Sequence, residues 1–582
     1  MREKFIIYQL LTRAFGNSNQ HCVSGGSLSL NGCGKFNDIT LDRLHEIKKL
    51  QVSYVWYTGI IEHSTKTDYS SYGIKNNNPQ IVKGEAGSPY AIKDYFDVDP
   101  DLSENVENRM AEFSALVERT HQSGMKVMID FVPNHLSRDY FSDQLPEGAE
   151  NFGQNDNTTL SFSKDNNFYY IINEELNLSN ILQGEKQTYF ESPAKATGNN
   201  LFSNTPSFND WYETAKLNYG VDPSDGSKHF MPHPKSWTMM LQVLKFWVSK
   251  GVDGFRCDMA GMVPVEFWSW AIEELKRDYP LVIFVGELYE RERYANYINV
   301  GGFDYLYDKS GLYDCLKQMS RYYTAKNCSD VAAQPLADSI TNSWQFIDKI
   351  QNRMVYFIEN HDEQRVASDF NLGNPFYALP ELMVSLMLNR APFLLYNGQE
   401  YGEKGMLAEG YSGSDGKTSI FDYCSITAIV DATNGDLDHS QIELYNIYLK
   451  LLFISMNDKA IRNGELYDLQ FANKVATAEK TGFNADSMYT FMRKTRKSII
   501  DSNPDTEMVL CTVDFSQSAK SVKILLPENL FGSWDITPGS HFYQRDILNG
   551  GETKTAILGK ECLIETYFNK YGLSIIKFSL EK

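Results

Sequence analysis

Four short stretches of the sequence gather carboxylates, histidines and an arginine: Asp130-Phe131-Val132-Pro133-Asn134-His135, Gly254-Phe255-Arg256-Cys257-Asp258, Val285-Gly286-Glu287 and Phe357-Ile358-Glu359-Asn360-His361-Asp362. Cleaving an acetal needs two carboxyl groups in different protonation states, and surroundings that tolerate an oxocarbenium-like transition state. Arg256, two residues before Asp258, is expected to keep that carboxylate ionised and aimed for attack. Glu287, crowded by other negative charges, is expected to stay protonated and donate to the leaving oxygen. His135 and His361 can donate hydrogen bonds to sugar hydroxyls. Asp362 can hold further hydroxyls and favour positive charge at the anomeric carbon. Taken singly each motif is weak, since an Asp at a strand end more often caps a helix than attacks a substrate. The argument rests on all four reaching one place.

Their flanks say how that happens. Eight apolar, β-rich runs recur over the first ~450 residues: Phe5–Leu10, Val52–Thr58, Lys126–Phe131, Gly251–Arg256, Leu281–Gly286, Phe303–Tyr307, Arg353–Ile358 and Pro392–Tyr396. Helical spacing of apolar residues fills the intervals, as at Asn105 to Ser123 and Thr238 to Lys250, each stopped by a glycine and followed at once by a strand. Alternation of this kind predicts a TIM (β/α)8 barrel, in which strand C-termini converge on one mouth. The long interval 136–235, rich in Asn, Ser, Gly and aromatics, is expected to be a subdomain inserted after the third strand. Residues 1–135 and 236–457 then form the barrel. Beyond 458 the pattern becomes short alternating segments with turn residues between them, which predicts a C-terminal antiparallel β-sandwich over 458–582.

Bulk properties narrow the partners. With 55 Lys and Arg against 75 Asp and Glu, the net charge is −20, which opposes nucleic acid and anionic membranes. No apolar run approaches the ~18 residues that span a bilayer. The start, through Leu11, is read as a strand and not a signal peptide, because Tyr8, Gln9 and Arg13 interrupt it. The eight cysteines are scattered, which predicts reduced thiols in a cytoplasmic enzyme; if the protein is periplasmic or secreted, Cys22 and Cys33 could pair.

As an ordered set, the four stretches resemble the signature regions of the α-amylase family of glycoside hydrolases, and the barrel, insertion and sandwich fit its architecture. The resemblance implies Asp258 as nucleophile, Glu287 as acid/base and Asp362 as transition-state stabiliser, with His135, Arg256 and His361 as substrate contacts. Ser88-Pro89-Tyr90-Ala91 resembles the family segment whose tyrosine stacks under the sugar being cleaved, which puts Tyr90 there. Gly398-Gln399-Glu400-Tyr401-Gly402 matches the segment at the eighth strand, with Asp415 a further sugar contact. Asp130 and Asn134 match supporting positions.

The sequence also departs from that pattern. The Lys-His pair that follows the nucleophile in typical α-amylases is replaced by Met259-Ala260-Gly261-Met262. Ala215-Lys216-Leu217-Asn218-Tyr219 resembles a motif of the neopullulanase and cyclomaltodextrinase branch, or is a plain packing segment. No cofactor is required for the chemistry. A structural calcium is not supported by Asn31-Gly32-Cys33-Gly34-Lys35, which is poor in carboxylates, although Asn134 with a subdomain Asp is an open alternative. The run Asp97, Asp99, Asp101 reads as a solvated turn, and Lys417 stands where relatives carry Arg and is left out of the site. These readings predict a retaining hydrolase of α-1,4-glucans or maltooligosaccharides. A transglycosylase, an α-1,6-acting enzyme or a non-catalytic glucan-binding protein are the alternatives, and the oligomeric state is left open.

Overall fold

The computed structural model describes residues 4–324, 334–410, 415–476, 478–496, 507–559 and 562–580. Eight strands form a parallel sheet: β1 (Ile6–Leu11), β2 (Tyr54–Thr58), β3 (Lys126–Phe131), β4 (Gly254–Cys257), β5 (Ile283–Gly286), β6 (Tyr305–Tyr307), β7 (Met354–Val355) and β8 (Phe393–Tyr396). Each pairs with its sequence neighbour, and β1 pairs with β8. The ring closes through Tyr356, which bridges Phe393; its N–H donates to Pro392 O at 3.0 Å and its carbonyl accepts from Leu394 N at 2.8 Å. All eight expected strands are present, with ends displaced by a few residues.

The helices that feed these strands follow the apolar spacing. Helix α1 (Arg109–Gln122) buries Phe113, Leu116, Val117 and Thr120, and α2 (Lys235–Ser249) buries Trp237, Met240, Val243, Leu244 and Trp247, among others. Both faces recur at three- and four-residue spacing and seal the outside of the barrel.

Side chains on a strand alternate between the two faces, so every second residue points into the lumen. Ile7, Tyr54, Trp56, Met128, Val285, Tyr305, Val355 and Leu394 form one packed cluster there. One step further along the strands come Gln9, Asp130, Arg256 and Glu287, all buried. The barrel is therefore plugged by apolar side chains below and presents polar ones at the C-terminal mouth.

The segment between β3 and α2 carries two short antiparallel pairs, His135–Ser137 with Thr214–Lys216 and Tyr170–Ile171 with Ala194–Lys195. Arg138 fastens it internally, donating to Tyr212 O and to Glu191 Oε1, both at 2.6 Å.

At the C-terminal end β9 (Glu465–Asp468), β10 (Met488–Lys494), β11 (Glu507–Asp514), β16 (Leu573–Leu580), β13 (Ser540–Asp546) and β14 (Lys554–Leu558) form a six-stranded sheet in that order. A two-stranded sheet of β12 (Ser521–Leu526) and β15 (Cys562–Tyr567) accompanies it. One face, with Tyr489, Phe491, Val509, Cys511 and Ile575, belongs to the barrel's own core cluster. The other face packs Met492, Leu510, Ile576 and Phe578 against Ile524 and Ile564. The sheet is thus a middle layer between the barrel and the two-stranded sheet.

Arg493 reinforces the contact with the barrel. Its buried guanidinium donates to Leu388 O at 2.6 Å, Gly464 O at 2.8 Å and Ile461 O at 3.0 Å. Arg493→Ala leaves three buried carbonyls short of a donor and is expected to cost about 3 kcal/mol, read as a lower denaturant midpoint with activity per folded molecule kept. An unchanged midpoint would mean that the apolar contact alone holds the sheet.

One expectation needs correction. Asp97, Asp99 and Asp101 are buried, not solvated. Asp97 pairs with Arg109 at 2.5 Å, Asp99 with His63 at 2.9 Å, and Asp101 accepts from Tyr69 at 2.5 Å and Tyr423 at 2.6 Å. Buried carboxylates persist only when so partnered. Cys22 and Cys33 are free thiols, as are the other described cysteines; Cys328 lies outside the described residues.

Candidate active site

Register brings the carboxylates together. Arg256 on β4 stands opposite Asp130 on β3 and Val285 on β5. One step past the ladder, Asp258 N donates to Phe131 O at 2.9 Å and Glu287 N to Cys257 O at 3.0 Å. Both acidic side chains therefore leave the barrel at the same level.

Arg256 links them. Its Nη1 donates to Asp258 Oδ1 at 2.7 Å and lies 3.4 Å from Asp130 Oδ1; its Nη2 lies 2.8 Å from Glu287 Oε2 and 3.9 Å from Asp362 Oδ2. The guanidinium is held above the rings of Tyr90 and Trp56, with centroids 5.3 and 5.4 Å away. Such planar, permanently charged contacts suit arginine and not lysine.

The donors are distributed differently from the sequence expectation. Glu287 accepts two hydrogen bonds, from Met259 N on Oε2 at 2.8 Å and from Tyr289 OH on Oε1 at 2.6 Å, and is ion-paired with Arg256 through Oε2. Asp258 accepts only from Arg256, and its Oδ2 is buried without a partner among the described residues. Burial dominates at Asp258 and pushes its carboxyl well above the usual range; Arg256 opposes this, while Glu287 and Asp130 add to it. Burial likewise pushes Asp130 up to about 6, against the pull of Arg256 and a hydrogen bond from Trp56 Nε1. One arginine serves several carboxylates here, so the site does not support full charge on all of them.

Met259 takes the place of the missing Lys-His pair and adopts the left-handed region, with φ 42° and ψ 42°. For a side chain with a Cβ that conformation is strained, and it is this turn that aims the Met259 N–H at Glu287.

The histidines are neutral. Burial lowers His361 well below its usual value, with Arg256 adding to the effect, and lowers His135 to about 3, helped by Lys216 and Lys83. His361 lies 2.8 Å from Gln9 Nε2 through Nδ1 and 2.5 Å from Tyr90 OH through Nε2. Its other ring neighbour is Trp56.

These groups border one cleft of about 470 Å³. Tyr90, His135, Asp258, Glu287 and Asp362 line it, whereas Arg256 and His361 stand just behind that wall. Asp415 is set back: its Oδ1 accepts from Lys417 N at 3.1 Å and it is not among the lining residues, because the turn spends its carboxylate on its own backbone. Lys417, omitted in the sequence reading, lines the cleft instead, as do Trp211, Glu213, Tyr289 and Phe421. Tyr289 had a legible signal, lying two residues after Glu287. Trp211 sits in the insertion, where no periodic pattern flags it.

Lys216 explains the Ala215–Tyr219 motif. Its ammonium bonds Asn134 Oδ1 and reaches Met262 O at 3.2 Å, and burial lowers it to about 7. Tyr219 OH donates to Pro133 O at 2.7 Å. The motif therefore clamps the loops after β3 and β4, and Asn134, the alternative metal ligand, faces a cation carried on a side chain. Among the described residues no group of three or more His, Cys, Asp or Glu is placed to hold a metal ion. Nor is any described helix long and apolar enough to cross a membrane.

A closed barrel whose mouth gathers paired carboxylates, an arginine and stacked aromatics is a frame for breaking glycosidic bonds, and the molecule is a glycoside hydrolase. A model of the alpha-amylase catalytic domain matches residues 9–436, and the chain belongs to that family. "Alpha-amylase 3" of Dictyoglomus thermophilum is 23% identical over 513 residues, which cover 82% of this chain and 81% of that one. A cyclomaltodextrin glucanotransferase of Geobacillus stearothermophilus is 23% identical over 415 residues, 68% of this chain and 49% of that one, so the chain spans about half of some longer relatives. The crystal structure of a noncanonic maltogenic alpha-amylase from Thermotoga neapolitana superposes with a TM-score of 0.59 at 18% identity, covering 99% of both chains.

Proposed function

We propose that the enzyme cleaves α-1,4-glucosidic bonds in starch-derived glucans or maltooligosaccharides with retention, using Asp258 as nucleophile and Glu287 as acid/base. Asp362, Tyr90 and His135 hold the sugar at the point of cleavage, with His361 supporting Tyr90 from behind the wall. The observation that carries this reading is the attachment of Asp258 and Glu287 to the two terminal nitrogens of one guanidinium. So short a span suits the separation of about 5–5.5 Å in retaining enzymes and not the ~6.5–9.5 Å that admits a water in inverting ones.

In the first step a lone pair of Asp258 attacks the anomeric carbon as the bond to the glycosidic oxygen breaks and Glu287 gives that oxygen its proton. In the second, Glu287 takes a proton from water, whose oxygen displaces Asp258 from the sugar. The unpartnered Oδ2 of Asp258 gains a positive neighbour only as oxocarbenium character develops, so the interaction is stronger in the transition state than in the empty site.

The α-1,4 preference rests on similarity to proteins named as amylases and cyclomaltodextrin glucanotransferase. The apolar Met259, Ile420 and Phe421 on the cleft wall favour transfer to a second sugar as an accompanying outcome. Proton NMR of maltooligosaccharide cleavage is expected to show the α-anomer forming first, and isomaltooligosaccharides to react much more slowly. Initial β-anomer would overturn retention, and products longer than the substrate would establish transfer.

A further inference from the structure

Glu287 enters the reaction as an acid, yet in the substrate-free site every hydrogen bond it makes is one it accepts. Oε2 takes Met259 N beside its ion pair with Arg256, and Oε1, the oxygen left for the glycosidic bond, takes the Tyr289 hydroxyl. Ionisation gives the phenol no way to leave that bond, since burial and then Glu287 itself raise Tyr289 far above its ordinary value and keep its proton available to donate. Its freedom is of another kind. Tyr289 lines the cleft, is 37% exposed, and stands in the irregular stretch between β5 and the short turn Arg291–Arg293, with the neighbouring Leu288 buried as an anchor. A side-chain rotation suffices to lift its hydroxyl away while the backbone stays fixed by Glu287 N and Leu288.

We propose that Tyr289 is a substrate-operated positioning residue that holds Glu287 as an acceptor in the empty site and in the glycosyl-enzyme, and is displaced from Oε1 when the leaving-group sugar occupies the cleft. This rests on the reading of Glu287 as acid/base. With the phenol displaced, Oε1 takes a proton from solvent. That proton passes to the glycosidic oxygen as the bond to the anomeric carbon breaks and the bond to Asp258 forms. The departing sugar vacates the space, Tyr289 returns, and the Glu287 carboxylate receives a proton from the incoming water as the ester to Asp258 breaks. One side chain thus favours the acid form when acid is needed and the base form when base is needed.

The test is the pH dependence of kcat/KM on maltotriose for wild type and Tyr289→Phe, with Glu287→Gln assayed in parallel on maltotriose and α-maltosyl fluoride, whose leaving group needs little protonation. Loss of one hydrogen bond to the charged form is expected to move the basic limb of the Tyr289→Phe profile upward by about one pH unit. Circular dichroism and the melting midpoint should match wild type. A basic limb that does not move overturns the proposal, and so does loss of all turnover by a folded Tyr289→Phe, because displacement makes the hydroxyl dispensable for proton donation. Glu287→Gln should lose maltotriose turnover yet still release fluoride in a rapid first-step burst of about one equivalent per site, because only the second step then lacks its base. If instead it keeps maltotriose turnover, the acid/base assignment itself falls; if it behaves as expected while the limb stays fixed, only the role of Tyr289 falls.

Discussion

Asp258→Asn is expected to lower turnover of maltooligosaccharides by about 10³–10⁴-fold or more while making the empty protein more stable at neutral pH. The loss follows from the role proposed for Asp258 as nucleophile. The gain follows from its burial, which raises the Asp258 carboxyl well above the usual range and leaves Oδ2 without a donor. The folded state therefore holds a proton that the unfolded chain releases near pH 4, and stability falls as pH climbs from there through the raised folded value. Asparagine carries no charge and escapes that fall. The difference is expected on the order of 1–2 kcal/mol at pH 7 and to vanish below about pH 4, as thermal or denaturant midpoints at the two pH values would reveal. Turnover within tenfold of wild type would remove Asp258 from the chemistry. Equal midpoints at pH 7 would mean that the carboxylate is not held at a cost.

Arg256→Ala has the opposite sign for stability. It strips the guanidinium from Asp258 and Glu287 and leaves an opening among the rings of Trp56, Tyr90 and Tyr307. Removing one partner of a buried ion pair costs about 3–5 kcal/mol, and turnover should drop by at least ~10²-fold as both carboxyl groups lose their common anchor. The deficit depends on pH. Without the arginine, Asp258 and Asp130 rise further, so the folded variant takes up protons that the unfolded chain does not hold. The deficit should be largest above neutrality and shrink as pH falls toward 5. Denaturant titrations at pH 5 and 8 would check this, and an equal deficit at both would assign the loss to packing instead of charge.

What was legible in the sequence follows its physics. The barrel strands are buried on both sides, so they read as unbroken apolar runs. In the C-terminal sheet the strands with the weakest sequence signal, Glu465–Asp468 and Lys554–Leu558, are its two edges. Edges are half-solvated and short, and their alternation is correspondingly faint. The carboxylates of the site were visible because strand ends are fixed by register. Tyr289, Trp211 and Lys417 come from irregular segments whose paths no periodicity encodes. The three aspartates near 97–101 were misread for a related reason: their partners His63, Arg109 and Tyr423 are up to hundreds of residues away in sequence, and local charge density alone looks like a solvated turn.

The middle-layer sheet also has a consequence for how the chain reaches this state. Tyr489, Phe491, Val509 and Ile575 complete a cluster whose other members, Leu379 through Met387 among them, are made much earlier. At about 5–20 residues per second a ribosome needs several seconds to add the last hundred residues. During that interval a barrel already closed at Phe393 carries an uncovered apolar flank. Shortened versions ending before the sheet should therefore aggregate, however intact their barrel mouth.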